Sequence, residues 1–215
     1  MLAAVLIAAT VTVKVPPAVV RPVGCDPSRF VTKAYQDLLG RPIDPAGRTY
    51  WLGVLKNGAS RIQVATQLMN SAEYRNAVVR DLYNSYLHRS PNGSEVAAFS
   101  HMTTEQAASA ILGSAEYFSQ RGLGTNAGFV AALYQDVLGR SPDPQATTLF
   151  MQQIGAGTSR AVIAQQVLGS FEARQRWINA VYAKYLHRAA AGAVPPGGRD
   201  QVVAFIIASD EYCRQ

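Results

Sequence analysis

Four arginines recur at one fixed place in the sequence and could together bind anions or carboxylates. Each follows a short apolar stretch that contains a tyrosine, and the four are Arg41, Arg89, Arg140 and Arg188. A guanidinium group binds a carboxylate or phosphate through two parallel hydrogen bonds, which is the chemistry of an anion clamp. The alternative is that each arginine binds the carbonyl groups that end its own helix, or a nearby aspartate. Recurrence favours this structural role, because a residue needed in every unit is usually needed by the fold.

Asp44 and Asp143 are candidate calcium ligands, because each is followed by a proline close to small residues. A calcium loop needs oxygen ligands at several alternating positions and a carboxylate at its end. Arg48 and Thr49 stand where further ligands of Asp44 would be needed. An aspartate before a proline is also typical of a helix start, with the aspartate as N-cap and the proline at the first helical position. We therefore predict that both aspartates are N-caps.

The histidines and cysteines are too dispersed to indicate a metal site. His88 and His187 occupy equivalent positions, and His101 stands alone. Zinc needs three or four ligands at close spacing, and nucleophilic catalysis needs a nucleophile next to its base. Neither pattern can be read from the sequence. We therefore predict no catalytic residue, no metal site and no cofactor, and we expect that the protein is not an enzyme.

These candidate residues lie within an internal duplication. The stretch FVTKAYQDLLGRPIDPAG at 30–47 returns 99 residues later as FVAALYQDVLGRSPDPQA at 129–146, and the match runs without a gap to Arg89 and Arg188. The period halves again, because a tyrosine stands six residues before each of the four arginines. The four tyrosines are Tyr35, Tyr83, Tyr134 and Tyr182.

The apolar residues of the repeat recur at helical spacing, and the expected helix starts and stops surround them. We predict an all-α fold of short helices, in two pseudo-equivalent halves of about 99 residues that each contain two half-units. In the second and fourth half-units, residues 91–101 and 189–198 replace the helix that Asp-Pro starts elsewhere. The predicted parts are an apolar segment at 1–25, a first repeat at 26–125 and a second repeat at 126–215.

The aromatic residues at helical spacing are predicted to be mainly core. They are Tyr50, Trp51, Tyr83, Tyr86, Tyr182 and Tyr185. The alternative is an exposed platform for sugars or proteins. Two Gly-rich insertions that break the repeat, at 120–126 and 189–199, are further functional candidates, although variable loops have the same composition.

The ends of the chain leave several interpretations open. Residues 1–13 are apolar but too short to span a membrane, so the segment is either the remnant of a secretion signal or a retained arm for assembly. Cys25 and Cys213 flank the repeated region and could be inert, free or paired; pairing is favoured if the protein is exported. The net charge of +6 is scattered rather than clustered, which gives nucleic-acid binding little support.

The stretch LLGRPIDPAGRTYWLGVLKNGASRIQVATQLMNSAEY closely resembles the bacterial domain of unknown function called DUF4214. The resemblance covers residues 30–89 and, more loosely, 129–188, where Gly47 becomes Ala146 and Trp51 becomes Phe150. It is more distantly similar to the helical domain of phycobilisome linker polypeptides. The resemblance implies an all-helical module of secreted or surface proteins, or a scaffold that holds assemblies together, and it implies no catalytic residues.

We therefore expect a non-enzymatic, exported scaffold or linker module that binds other protein subunits, including copies of itself. It would be extracellular, at the cell surface or periplasmic, and would meet a membrane only through residues 1–25. The alternative is a module that binds carbohydrate or the cell surface through exposed aromatic residues.

Overall fold

The computed structural model describes residues 24–191 and 196–215, and this part of the chain is helical without any strand. Most of the segment 1–25 and part of the insertion 189–199 lie outside the described residues. A π-helical turn at Tyr35–Leu39 continues the first helix. The helices are α1 (Pro27–Ala34), α2 (Pro45–Lys56), α3 (Arg61–Met69), α4 (Ala72–Leu87), α5 (Gly93–Phe99), α6 (Thr104–Leu112), α7 (Ala115–Gln120), α8 (Asn126–Leu138), α9 (Pro144–Gly155), α10 (Arg160–Leu168), α11 (Phe171–Leu186), α12 (Arg199–Ile207) and α13 (Asp210–Arg214).

The helices begin at the capping residues that the sequence indicates. The side chains of Asp44 and Asp143 each accept a hydrogen bond of 2.8 Å from a backbone N–H in the first turn of α2 and α9. Ser60 opens α3 with a capping box to Gln63. These bonds satisfy N–H groups that have no partner inside the helix. Both aspartates therefore serve as N-caps in the structure.

The helices repeat as the duplication predicts. Half-unit 1 contains α1 to α3 and half-unit 3 contains α8 to α10, while half-unit 2 contains α4 to α7 and half-unit 4 contains α11 to α13. One expectation needs correction, because the segment after Pro91 still forms a short helix, α5. Asn92 and Glu95 make a capping box there, which supplies the helix start that Asp-Pro provides elsewhere.

The buried residues form two cores that do not follow the sequence halves 26–125 and 126–215. One core joins half-units 1 and 4, from Phe30 to Tyr74 and from Ile178 to Cys213. The other joins half-units 2 and 3, from Val79 to Ala173. The long helices α4 and α11 contribute to both cores. The boundary at 125/126 is therefore a boundary of the repeat and not of a core.

The two junctions between half-units correspond to each other. Half-unit 2 continues into half-unit 3 through a short loop, in which the backbone N–H of Gly124 donates to the carbonyl of Phe118 at 3.0 Å. The residues that correspond to Gly124 and Phe118 at the other junction are Cys25 and Cys213, and a disulfide joins them. The disulfide thus connects half-unit 4 to half-unit 1 where a peptide loop connects half-unit 2 to half-unit 3.

Candidate functional site

Each recurring arginine forms a salt bridge with a glutamate from its own half of the molecule. The glutamate comes from the Ser-x-Glu motif, in the first turn of α4, α7, α11 or α13. Nε and Nη2 of the arginine donate to the two carboxylate oxygens, with Nη2 distances of 2.6 to 2.9 Å. The pairs are Arg41–Glu73, Arg89–Glu116, Arg140–Glu172 and Arg188–Glu211.

The same four guanidinium groups lie over the tyrosine rings that precede them in the sequence. Their central carbons are 4.9 to 5.3 Å from the ring centroids, which is within the range of a cation–π contact. A further N–H of each arginine donates to the carbonyl of the next residue. The ring partners are Tyr35 for Arg41, Tyr83 for Arg89, Tyr134 for Arg140 and Tyr182 for Arg188.

The expected partner of these arginines was a helix-end carbonyl or an aspartate, and the main partner in the structure is a glutamate. The arginines do bind carboxylates as a clamp would, but the carboxylates are internal. Their hydrogen bonds lower the pKa of Glu73, Glu172 and Glu211 below the ordinary value. Because every clamp is occupied by its own chain, the four arginines act as structural residues that fix the starts of α4, α7, α11 and α13.

His88 and His187 have a different role from any that the sequence indicated. They end α4 and α11 with φ of 53° and 50°, a left-handed conformation. Gly40 and Gly139 hold the same conformation at the corresponding positions of half-units 1 and 3. The alignment of the half-units places each histidine where a glycine stands in half-units 1 and 3. The left-handed conformation could have been predicted from this alignment, because a glycine that follows a helix often has positive φ. Within residues 24–191 and 196–215 no group of three or more His, Cys, Asp or Glu side chains could hold a metal ion.

A cleft of about 260 Å³ lies between α4 and α11, where equivalent residues of the two halves face each other. Tyr86 and Tyr185 form one such pair, and Val78 and Trp177 form another. Burial raises the pKa of both tyrosines, so their hydroxyls remain protonated at neutral pH. The cleft therefore offers aromatic surface together with hydroxyl groups.

Four charged side chains line this cleft, namely Asp81 on α4, Lys184 on α11, and Arg199 and Asp200 on α12. Asp200 accepts from Arg75 at 2.6 Å and from the hydroxyl of Thr104 at 2.7 Å. The guanidinium of Arg199 lies 5.2 Å from the ring of Trp177. The ammonium of Lys184 lies 5.0 Å from the ring of Tyr185, and within the described chain it forms no salt bridge. Acidic and basic groups are thus balanced, which favours a neutral ligand over an ion.

The outward surfaces of α2 and α9 are the second candidate site. Each helix has 12 residues and buries only one of them, Trp51 in α2 and Phe150 in α9. The preceding residues, Tyr50 and Leu149, are 59% and 50% exposed. The expectation that Tyr50 belongs to the core is therefore wrong. Trp51 is buried, and its indole N–H donates to the hydroxyl of Tyr35 at 2.8 Å.

These features define an all-helical repeat protein whose recurring charged side chains are engaged within its own body. The family described as "Domain of unknown function (DUF4214)" matches residues 21–78 and 108–177, which is more than half of the chain. The chain belongs to this family. The second match begins inside α6, so it includes the junction between half-units 2 and 3. No curated protein and no solved structure matches the chain, and the similarity to phycobilisome linker domains stays a prediction.

Proposed function

We propose that the protein is an exported, non-enzymatic assembly module that connects partner proteins through two matched helix faces. The faces are the outward surfaces of α2 and α9. The observation that carries the proposal is the correspondence of Tyr50 and Leu149, which stand 99 residues apart at one position of the repeat and are both at least half exposed. An exposed apolar patch commonly marks a site of protein interaction.

The rest of the body supports this role by its rigidity. The four arginine clamps, the two cores and the disulfide hold the two faces in one fixed relation. A rigid body with two similar faces can join two copies of one partner and fix the angle between them. The disulfide also supports export, because disulfides persist in oxidising compartments. No described helix is both long and apolar enough to cross a membrane.

Photo-crosslinking in the source cells tests the proposal. A photoreactive amino acid is placed at position 50 or 149, and the same residue at position 67 or 166 is the matched control. Gln67 and Gln166 are an equivalent, exposed pair on α3 and α10. We expect positions 50 and 149 to capture the same partner and the control positions not to capture it. Capture of different partners, or equal capture at all four positions, contradicts two matched faces.

A carbohydrate-binding role is the second candidate, and the cleft between α4 and α11 favours it. The cleft has a volume of about 260 Å³ and is lined by tyrosine residues and by two acidic and two basic side chains. Sugars are neutral and are usually bound by hydroxyl and charged side chains beside aromatic rings. The cleft would then bind one residue of a glycan at the centre of the molecule.

The fluorescence of Trp177 tests this candidate directly. The chain has two tryptophans, so Trp51→Phe leaves Trp177, at the cleft, as the only tryptophan, and its emission can be excited at wavelengths that tyrosine does not absorb. Titration with monosaccharides and bacterial cell-wall oligosaccharides should change its emission in a saturable way. Lys184→Ala should weaken the effect without a change in helix content. An emission that no sugar changes up to millimolar concentration contradicts the candidate.

A further inference from the structure

Arg61 and Arg160 occupy equivalent positions of the repeat, as the first residues of α3 and α10. Nη2 of Arg61 donates a hydrogen bond of 2.5 Å to the carboxylate of Asp210, in the first turn of α13. This hydrogen bond lowers the pKa of Asp210 below its ordinary value. The pair joins half-unit 1 to half-unit 4, and it shows what an arginine at this position of the repeat can bind.

The equivalent arginine of half-unit 3 has no such carboxylate. The residue of half-unit 2 that corresponds to Asp210 is Ala115, which is exposed. Within residues 24–191 and 196–215, Arg160 forms no hydrogen bond or salt bridge, and its Nε is buried without an acceptor. A guanidinium group has five N–H donors, and a buried donor without an acceptor is unfavourable. Half-units 2 and 3 therefore keep the arginine of this pair but not its partner.

An aromatic ring nevertheless holds the side chain of Arg160 in place. The central carbon of its guanidinium lies 4.2 Å from the centroid of the Phe118 ring, which is a cation–π contact. Phe118 and Ala115 both lie on α7, so this contact keeps the guanidinium beside the helix that carries Ala115. The ring attracts the positive charge, but it does not replace a carboxylate as the acceptor of parallel N–H groups. Because the guanidinium is already ordered, a ligand would bind it at a small cost in side-chain entropy.

We propose that Arg160 binds a carboxylate side chain of a partner protein, in the way that Arg61 binds Asp210. The class of ligand follows from this equivalent pair, in which the same donor group binds an aspartate whose side chain is 61% exposed. Because Ala115 is small and exposed, a carboxylate from outside can approach the corresponding place. A single exposed ion pair contributes little binding energy. The carboxylate should therefore belong to a ligand that makes further contacts, as an acidic side chain of a protein does.

A double-mutant cycle tests whether Arg160 can bind a carboxylate at this place. Ala115→Asp supplies the side chain that the other half has as Asp210. We expect this substitution to raise the melting temperature of wild type, and to raise it much less in the background Arg160→Gln. An aspartate in a first helical turn is also stabilised by the helix dipole. A rise of equal size in both backgrounds would come from the helix alone and would overturn the carboxylate site, as would no rise in wild type.

Fluorescence anisotropy with a labelled hexaglutamate peptide measures the binding of an external carboxylate to the full chain. The titration is done at low ionic strength, because salt screens exposed charges. We expect Arg160→Gln and Ala115→Asp each to weaken binding by about fivefold, the first because it removes the donors and the second because it occupies them. Arg80→Gln is the matched control and should bind like wild type. It changes the net charge by the same one unit, and Arg80 is an exposed residue of α4 without a salt bridge in the described part of the chain.

The remaining outcomes of this titration also decide the proposal. Equal affinity of all four proteins would indicate a diffuse attraction to the net positive charge and would overturn the site, as would a wild type that does not bind the peptide. Succinate that displaces the peptide at the same concentration of carboxylate would assign Arg160 to a small free carboxylate instead of a protein. Arg160 belongs to α10 and to neither of the two faces on α2 and α9. Crosslinking from positions 50 and 149 therefore reports on the proposed function independently.

Discussion

The hydroxyl of Tyr212 donates a 2.7 Å hydrogen bond to the carboxylate of Asp37, which lies 175 residues earlier in the chain. The equivalent tyrosine of half-unit 2, Tyr117, donates at 2.8 Å to Asp136, only 19 residues later. Asp37 and Asp136 are themselves equivalent. The same bond therefore closes a local junction in one half and joins the two ends of the chain in the other. The molecule is a closed arrangement of four half-units.

Removal of either tyrosine hydroxyl should weaken its junction. Both rings are fully buried, and burial together with the aspartate raises the pKa of both phenols, so each remains a hydrogen-bond donor at all accessible pH values. We expect Tyr117→Phe and Tyr212→Phe each to lower the free energy of unfolding by about 1.5–3 kcal/mol, as for other hydrogen bonds to charged groups. Urea unfolding followed by circular dichroism measures this.

Tyr50→Phe is the control, because the exposed hydroxyl of Tyr50 should contribute almost nothing. If Tyr212→Phe and Tyr117→Phe change the free energy of unfolding as little as Tyr50→Phe does, the two hydrogen bonds do not stabilise the junctions.

The disulfide should stabilise the protein mainly through its unfolded state. Cys25 and Cys213 enclose nearly the whole described chain, with a sequence separation of 188. A crosslink across so long a loop removes much chain entropy from the unfolded state. We expect the double substitution of both cysteines by serine to cost about 2–5 kcal/mol while the helix content at 25 °C stays the same. Unfolding of wild type in urea, with and without a reducing agent, should show the same difference; equal midpoints would contradict it.

Local chemistry made the helices and their order predictable. Asp44, Asp143 and Ser60 stand at helix starts because capping is a short-range interaction that the sequence displays. The duplication likewise predicted which helices correspond. The partner of Arg41 was not predictable in the same way, because Glu73 lies 32 residues away and only packing brings it near.

The arrangement of the cores depends on contacts that no local pattern contains. The pairing of half-unit 1 with half-unit 4 brings Phe30 and Ile207 into one core, although they stand near opposite ends of the chain. The exposure of Tyr50 was missed for a related reason, because helical spacing cannot tell which of two adjacent aromatic residues faces the core. Trp51 takes the buried position, where its indole N–H donates a hydrogen bond to the hydroxyl of Tyr35.

Tyr35 and Tyr134 occupy equivalent positions, yet their hydroxyls should differ in importance. The hydroxyl of Tyr35 accepts the buried N–H of Trp51, whereas Tyr134 faces Phe150, which has no donor. We expect Tyr35→Phe to cost about 1–3 kcal/mol, because a buried donor loses its partner. Tyr134→Phe is the matched control and should cost much less in the same urea titration. The expected difference disappears in the background Trp51→Phe, and its persistence there would assign it to another cause.

Both tyrosines also fill the core as side chains. Because Tyr35 and Tyr134 are almost completely buried, Tyr35→Ala or Tyr134→Ala should cost about 3–5 kcal/mol, the usual loss for removal of a large core residue. A variant that keeps its melting temperature but loses binding would contradict a structural role for that residue.

The pH dependence of stability should reveal the clamp of Arg89, which donates hydrogen bonds to two glutamates. Arg89 donates to Glu95 as well as to Glu116, and with the backbone N–H of Asn92 it lowers the pKa of Glu95 from 4.5 to about 2. A folded-state pKa below the unfolded value stabilises the protein above about pH 4.5, and this contribution is lost as the pH falls towards 2. Melting temperatures measured from pH 7 to pH 2 should therefore fall through this window.

The substitution Glu95→Gln isolates the charge, because glutamine can still accept the N–H of Asn92 in the capping box. We expect this variant to melt below wild type at pH 7 and to approach it as the pH drops from 4.5 to 2, since wild type then loses what the variant already lacks. Asp81→Asn is the matched control, because Asp81 lies on the preceding helix and forms no salt bridge within the described chain. A gap between wild type and Glu95→Gln that stays constant down to pH 2 would mean that the carboxylate charge of Glu95 does not contribute to stability.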